Sequence, residues 1–137
     1  MNKSVILEYI KAINESEIDK LYSFMDSDYI FIDAHGNKIS GKDAMKQSWI
    51  GYFKMFPDYS IEVIEILEGD SSCAVFGYAS GTYQNLKNKE NNNYWKVPAA
   101  WNVIVENGKI KKWQVYADNS SAIEIYNRNM EISESFD

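Results

Sequence analysis

What this chain has little of narrows its chemistry. It carries one cysteine, Cys73, set in an apolar, strand-like run. A lone thiol excludes an internal disulfide framework, and with no basic or metal-ligating neighbour in sequence it reads as core. The single histidine, His35, has no cysteine near it, which argues against a zinc site. The single arginine, Arg128, leaves no ready bidentate clamp for a carboxylate or phosphate. Basic character is scarce overall: the formal charge of −6 at pH 7 argues against nucleic-acid or acidic-membrane binding, both of which depend on clustered Lys and Arg. No apolar run approaches the roughly 18 residues that span a bilayer. The first fourteen residues place Glu8 and Lys11 inside an apolar pattern with no small-residue cleavage site, unlike a signal peptide. The expectation is therefore a cytoplasmic protein that uses no metal.

Apolar residues make up 45% of the 137 and aromatics 15%, including four Trp and ten Tyr, so the chain has ample material for a core. One domain over residues 1–137 is expected, with its core from about 4 to 129 and a frayed tail at 130–137. Val5, Ile6, Tyr9, Ile10 and Ile13 recur at helical spacing. Ser16, with Asp19 three residues on, reads as the N-cap of a second helix over about Glu17 to Met25. The β-branched and aromatic run from Tyr29 to Asp33 predicts a strand, and Gly36-Asn37 a turn. Ser40 with Asp43 then reads as the cap of a third helix, from Gly41 to about Phe56, that stops before Pro57.

From Tyr59 onward the period changes to two. Tyr59 to Glu68, Ser72 to Gln84, Tyr94 to Glu106 and Lys109 to Ala117 predict an antiparallel meander with turns at Gly69-Asp70 and Asn107-Gly108. In its second strand one face holds Cys73, Val75, Gly77, Ala79 and Gly81, a set of small residues that suggests strong bending. Phe76 and Tyr78, on the other face with Ser80 and Thr82, are expected to wall a pocket. Trp95 and Trp101, sharing a parity on the next strand, are expected on the outer sheet face as a homodimer surface. The Asn- and Lys-rich segment from Asn85 to Asn93 reads as a solvated, mobile loop. Ser121 and Glu124 read as a capping box for a last helix from Ala122 to about Asn129.

Three helices with an early strand pair, followed by a four-stranded meander, resemble the nuclear-transport-factor-2-like superfamily, and within it the SnoaL-like polyketide cyclases and ketosteroid isomerase. Trp49 to Tyr59, WIGYFKMFPDY, is similar to the helix-to-strand passage of SnoaL-like domains with its Phe-Pro-Asp signature. Gly108-Lys-Ile110 followed by Trp113 to Asp118, WQVYAD, resembles that family's last strand and closing Asp. The likeness runs from Ile6 to Tyr126. It implies an α+β fold: a cone-shaped, strongly curved antiparallel sheet of about six strands, packed against three helices and closed by a short C-terminal helix. It also implies an interior that takes an apolar small molecule, with no cofactor. Such domains serve as enzymes, ligand carriers or dimerisation modules, so fold does not decide function.

The candidate catalytic residues are Asp33, Tyr9 and Asp118. Asp33 ends a very apolar strand, where burial would raise its pKa and make it a general base near neutral pH. By resemblance it matches the proton-abstracting Asp of ketosteroid isomerase, and Tyr9, 24 residues earlier as in that family, matches the oxyanion-hole Tyr. The residues themselves allow a plainer reading, with Tyr9 as core and Asp33 capping the turn at Gly36. Ala100 stands where that enzyme has its second oxyanion-hole group, an acid, so steroid isomerisation should be slow or absent. Asp118 matches the acid/base Asp of the cyclases, and equally suits an N-cap. Tyr83 follows Gly81-Thr82 where those cyclases often carry His. His35 either pairs with Asp33 or sits exposed in the turn. The substrate-binding candidates are His35, Trp49, Phe53, Phe76, Tyr78, Tyr83, Trp101 and Tyr116. Two functions stay open: proton transfer next to a carbonyl, or a non-catalytic ligand-binding or dimerisation module.

Overall fold

The computed structural model describes residues 2–84 and 93–136, the last six of these by backbone alone. Three helices come early: α1 (Asn2–Asn14), α2 (Ile18–Phe24) and, after the short strands β1 (Met25–Ile32) and β2 (Lys38–Ser40), α3 (Lys42–Met55). The meander follows as β3 (Ser60–Glu68), β4 (Cys73–Thr82), β5 (Tyr94–Glu106) and β6 (Lys109–Ala117), and α4 (Ser120–Phe136) closes the chain. Helical spacing decides what α1 buries: Ile6, Tyr9, Ile10 and Ile13 face the core. Its last residue, Asn14, accepts a hydrogen bond from Ile61 N at 2.8 Å and donates one to Ile61 O at 3.0 Å. That amide acts as a one-residue strand on the edge of β3, pairing buried backbone groups that would otherwise go unsatisfied. Among the described residues no helix is long and apolar enough to cross a membrane.

Three helix starts differ from the sequence reading; α4 begins at Ser120, which leaves Ser121 inside the helix and not at its cap. Ser16 takes a positive φ of 54°, and the N-cap position falls on Glu17 without a side-chain bond. Helix α3 is entered through Gly41 at φ 95°, because Ser40 is engaged opposite Ile30 in the β1–β2 ladder. Asp43 does lie in the first turn of α3, where its carboxylate accepts a hydrogen bond from the Tyr22 hydroxyl at 2.7 Å.

The six strands form one curved, open sheet in the order β2-β1-β6-β5-β4-β3. All neighbours run antiparallel except β1 and β6, which are parallel. The sheet is thus mixed where a wholly antiparallel one was expected. The chain leaves β1, runs through α3 and the other strands, and returns beside it in the same direction, a pairing that needs a long crossover.

The concave face is the reverse of the one expected from size. Cys73, Val75 and Ala79 of β4 point inward and are buried, while Phe76 on the other parity is 43% exposed. Trp95 and Trp101 of β5 also point inward, at 5% and 1% exposure, and so are not the outer surface. Small residues on the inner face of β4 leave room that these indoles fill. Gly81 pairs with Trp95 and Val75 with Trp101. A Cβ on Gly81 would stand 3.3 Å from the Trp95 ring. Burying side chains of this size contributes on the order of 1.5–3 kcal/mol each, more than an exposed parity would allow.

Helix α4 starts at Ser120 and continues to Phe136, through the segment expected to fray. It is tied down by Ile125 and Asn129, both buried. Asn93 Oδ1 accepts hydrogen bonds from Asn129 Nδ2 at 3.2 Å and Arg128 Nη2 at 3.0 Å, and Asn93 Nδ2 donates to Tyr83 O at 3.2 Å. Asn93 is therefore an anchor, not part of a solvated loop; residues 85–92 of that expected loop lie outside the described residues.

At the bend itself, a Cβ on Gly77 would collide with the Glu62 carbonyl of β3. Gly77→Ala is expected to destabilise the protein by about 1–3 kcal/mol, the range for forced overpacking. Gly51, inside α3 with nothing within 4 Å of its would-be Cβ, is the control. Gly51→Ala should stabilise by about 0.5–1 kcal/mol. Chemical denaturation of both variants checks the pair.

Candidate functional site

Between α3 and the concave face lies a cavity of about 320 Å³. Helix α3 contributes Met45, Ser48, Trp49 and Tyr52, residues three and four apart that share one face. Strand β1 and the turn after it contribute Phe31, Asp33 and Ala34. Trp95 and Val97 of β5, Trp113 and Val115 of β6, Ala79 of β4 and Tyr59 before β3 complete most of the wall, with Asn119 below α4. The volume lies at the low end for ligand pockets, about 300–1,000 Å³.

Its rings brace one another. Trp49 stacks on Phe53 at 5.2 Å and 18°, Tyr52 meets Tyr59 edge-on at 4.9 Å and 87°, and Tyr59 leans on Trp95 at 6.1 Å. Burial pushes the Tyr52 and Tyr59 hydroxyls well above 10, so both stay neutral phenols. Among the described residues, the indole N–H of Trp95 is buried without a hydrogen-bond partner.

Asp33 is in this wall, but its carboxylate also builds the β1–β2 turn. Its Oδ1 accepts hydrogen bonds from His35 N and Asn37 N, each at 2.9 Å, while Asp33 N donates to Asn37 O. Desolvation pushes its pKa upward, yet the backbone donors of Asn37 and His35, the Asn37 side chain and the His35 charge together outweigh it. The carboxyl ends below its ordinary 3.8. The raised value expected from the apolar strand is corrected: Asp33 is half-buried, and each hydrogen bond favours its charged form.

The other two acid/base candidates stand apart from the cavity. Tyr9 is fully buried behind its wall, where its hydroxyl meets that of Tyr29 at 2.9 Å and accepts a bond from Trp49 Nε1 at 3.3 Å. Burial lifts it to about 12, with the bonds from Tyr29 and Trp49 opposing. Asp118 is exposed. Its Oδ1 accepts a hydrogen bond from Ser120 N at 3.0 Å, which secures the first turn of α4, and the Ser120 side chain and then this backbone donor lower its pKa. It shares a shallow groove with the exposed His35, outside the cavity.

Of the ligand-binding candidates, Trp49 lines the cavity. Phe53 backs Trp49, and Trp101 packs on Trp113 at 6.3 Å. Tyr83 contacts Phe56 and Tyr126. Phe76 and Tyr116 are exposed on the convex face, and Tyr78 lies under the Lys96 ammonium at 5.0 Å on that same face. The sequence reading placed Trp95 on the outer face and did not name Tyr52, Trp113, Ser48, Tyr59 or Asn119 as lining. The spacing of Met45, Trp49 and Tyr52 carried a signal for Tyr52. Nothing local pointed to Asn119, which is brought in by the β6–α4 connection. Among the described residues no three of His, Cys, Asp and Glu gather as a metal site.

The fold and this enclosed site define the class: the chain belongs to the SnoaL-like domain family, whose sequence pattern matches residues 6–113. No match is found among curated proteins. Solved structures resemble it at low identity. A protein of ketosteroid isomerase-like fold from Catenulispora acidiphila, in complex with trimethylamine, is 14% identical, with a TM-score of 0.76 over 90% of this chain and 92% of that one. A candidate polyketide cyclase from Xanthomonas campestris is 16% identical, TM-score 0.76, over 89% and 93%. A candidate hydroxylase, AclR, from Streptomyces galilaeus is 16% identical, TM-score 0.72, over 91% and 95%.

The lowered pKa of Asp33 gives a signed expectation. A depressed carboxyl stabilises the fold above its unfolded value, near 4, and that contribution fades as pH falls through the lower folded value. NMR titration of the Asp33 carboxyl should give a midpoint below 3.8. Asp33→Asn should flatten the loss of stability below about pH 4. A midpoint above 5 would restore the general-base reading.

Proposed function

We propose that this chain is a binding protein for a small, largely apolar molecule held between α3 and the concave face of the sheet. One observation carries the reading: the cavity is walled by mutually braced aromatic rings, and a few polar groups, Asp33, Ser48 and Asn119, interrupt them. That combination orients a ring-shaped or branched ligand while burying its apolar surface. Asp33 holds the β1–β2 turn and presents a negative charge to the cavity, Tyr9 supports Trp49 from behind, and Asp118 secures α4.

A catalytic reading stands second, favoured by the presence of Asp33 in the wall. In it the protein is a cofactor-independent isomerase or cyclase that moves a proton next to a carbonyl, with Asp33 as base and a Tyr52 or Tyr59 phenol as donor. A carboxylate held below its ordinary pKa is a weak base, and Tyr9 is not in the wall to stabilise an oxyanion, which is why binding ranks first.

We further propose a homodimer through the convex face, in the reducing cytoplasm that suits a free, buried Cys73. Phe76, Ala100 and Tyr116 align across β4, β5 and β6. With Leu67 they make an apolar surface on the strands opposite the cavity, the kind of patch that marks a protein interface.

Titration of the wild-type chain with small aromatic and alicyclic compounds should change its Trp fluorescence, because Trp49, Trp95 and Trp113 line the cavity. Ala117→Leu, which fills half-exposed space at the wall, should weaken binding about 10-fold or more without lowering the melting temperature. A library that leaves fluorescence unchanged would sink the binding reading. Deuterium exchange next to the carbonyl of cyclic ketones, abolished in Asp33→Asn, would promote the catalytic one. Phe76→Glu should convert a sedimenting dimer to monomer; a wild-type monomer at micromolar concentration would end the dimer proposal.

A further inference from the structure

Resting on the reading of the cavity as a ligand site, we infer that its ligand carries a positively charged ammonium group, quaternary or protonated, on a compact apolar body. The wall holds six aromatic rings, those of Phe31, Trp49, Tyr52, Tyr59, Trp95 and Trp113. An aromatic face is electron-rich, and several faces around one point attract a cation more than a neutral group of the same shape. The same wall holds one carboxylate, Asp33. Two backbone N–H groups, from His35 and Asn37, bond to its Oδ1 and favour its ionised form.

Sign excludes the alternatives. No Lys, Arg or His is among the described residues that line the cavity, and the chain as a whole is at −6. An anionic ligand would meet a carboxylate and ring faces with no counter-charge. A neutral hydrocarbon would gain burial but leave the Asp33 charge partly desolvated without a partner. An ammonium group loses hydration on entering, and the rings and the carboxylate replace it. Preorganisation strengthens the effect: Trp49 is pinned by Phe53 and Tyr52 by Tyr59, so little ring freedom is lost on binding. The phenol oxygens of Tyr52 and Tyr59 can accept a hydrogen bond if the nitrogen carries a proton. A volume of about 320 Å³ limits the body to roughly one ring.

A matched pair tests the charge separately from the shape. (4-Hydroxyphenyl)trimethylammonium and 4-tert-butylphenol differ by a quaternary nitrogen in place of a carbon. Titrated into the wild-type chain at pH 7 and followed by Trp fluorescence and calorimetry, the cation should bind at least about 10-fold more tightly than its neutral twin. Asp33→Asn, whose amide oxygen can still accept the turn's two hydrogen bonds, should erase most of that ratio by weakening binding of the cation. Should the variant fail to fold, the wild-type ratio decides alone. Equal binding, or tighter binding of the neutral twin, overturns the ammonium inference and leaves the ligand cavity standing. Binding of neither up to millimolar concentration overturns both.

Discussion

The bend of β4 against β3 is the constraint on which the hollow depends. At Gly77 the two strands approach so closely that no side chain fits between it and the Glu62 carbonyl. The register slips between Val63 and Glu65 of β3, opposite that point. A slip adds a residue on one strand and increases local curvature. Small inner residues on β4 then leave a concavity, and large side chains from β5, β6 and α3 come in to fill it. They fill it incompletely, and the remainder is the cavity. Packing and binding are therefore set by one distribution of volume: small on β4, large on its neighbours.

Asp33 shows how one side chain is divided between structure and chemistry. Apolar neighbours on β1 pull its pKa up, but the turn that follows presents two backbone donors to one of its oxygens, and the donors prevail. The same turn that fixes Asp33 at the wall thereby keeps it charged. A charged acid in a ring-lined space is suited to holding a cation and poorly suited to abstracting a proton at neutral pH. Asp118 follows the same pattern at a second turn, where a backbone donor holds the carboxylate to the start of α4.

Much of this was legible along the chain. Period-two runs located the four long strands, and the three-and-four spacing of α1 named its buried face, because burial acts on each element with its own period. The family likeness was readable too, and the family's sequence pattern matches residues 6–113. The placement of Asp33 at the end of β1 was also readable, since the apolar run stops there. Its pKa was not: that depends on which backbone groups point at it. The faces of β4 were misassigned for a related reason. Alternation separates two sets of residues but does not say which is concave, and the larger set was taken as the lining when the smaller one is what allows the bend.

What the sequence determined by itself was the list of elements, the acidity of the surface and the supply of rings, since each follows from composition and local spacing. Tertiary structure decided which rings share a space, that Tyr9 stands behind the wall and not in it, and that β1 lies parallel to β6. Those outcomes depend on contacts between residues distant along the chain. Local periodicity constrains the direction of a side chain relative to its own element, and only the packing of elements on one another gives that direction a neighbour.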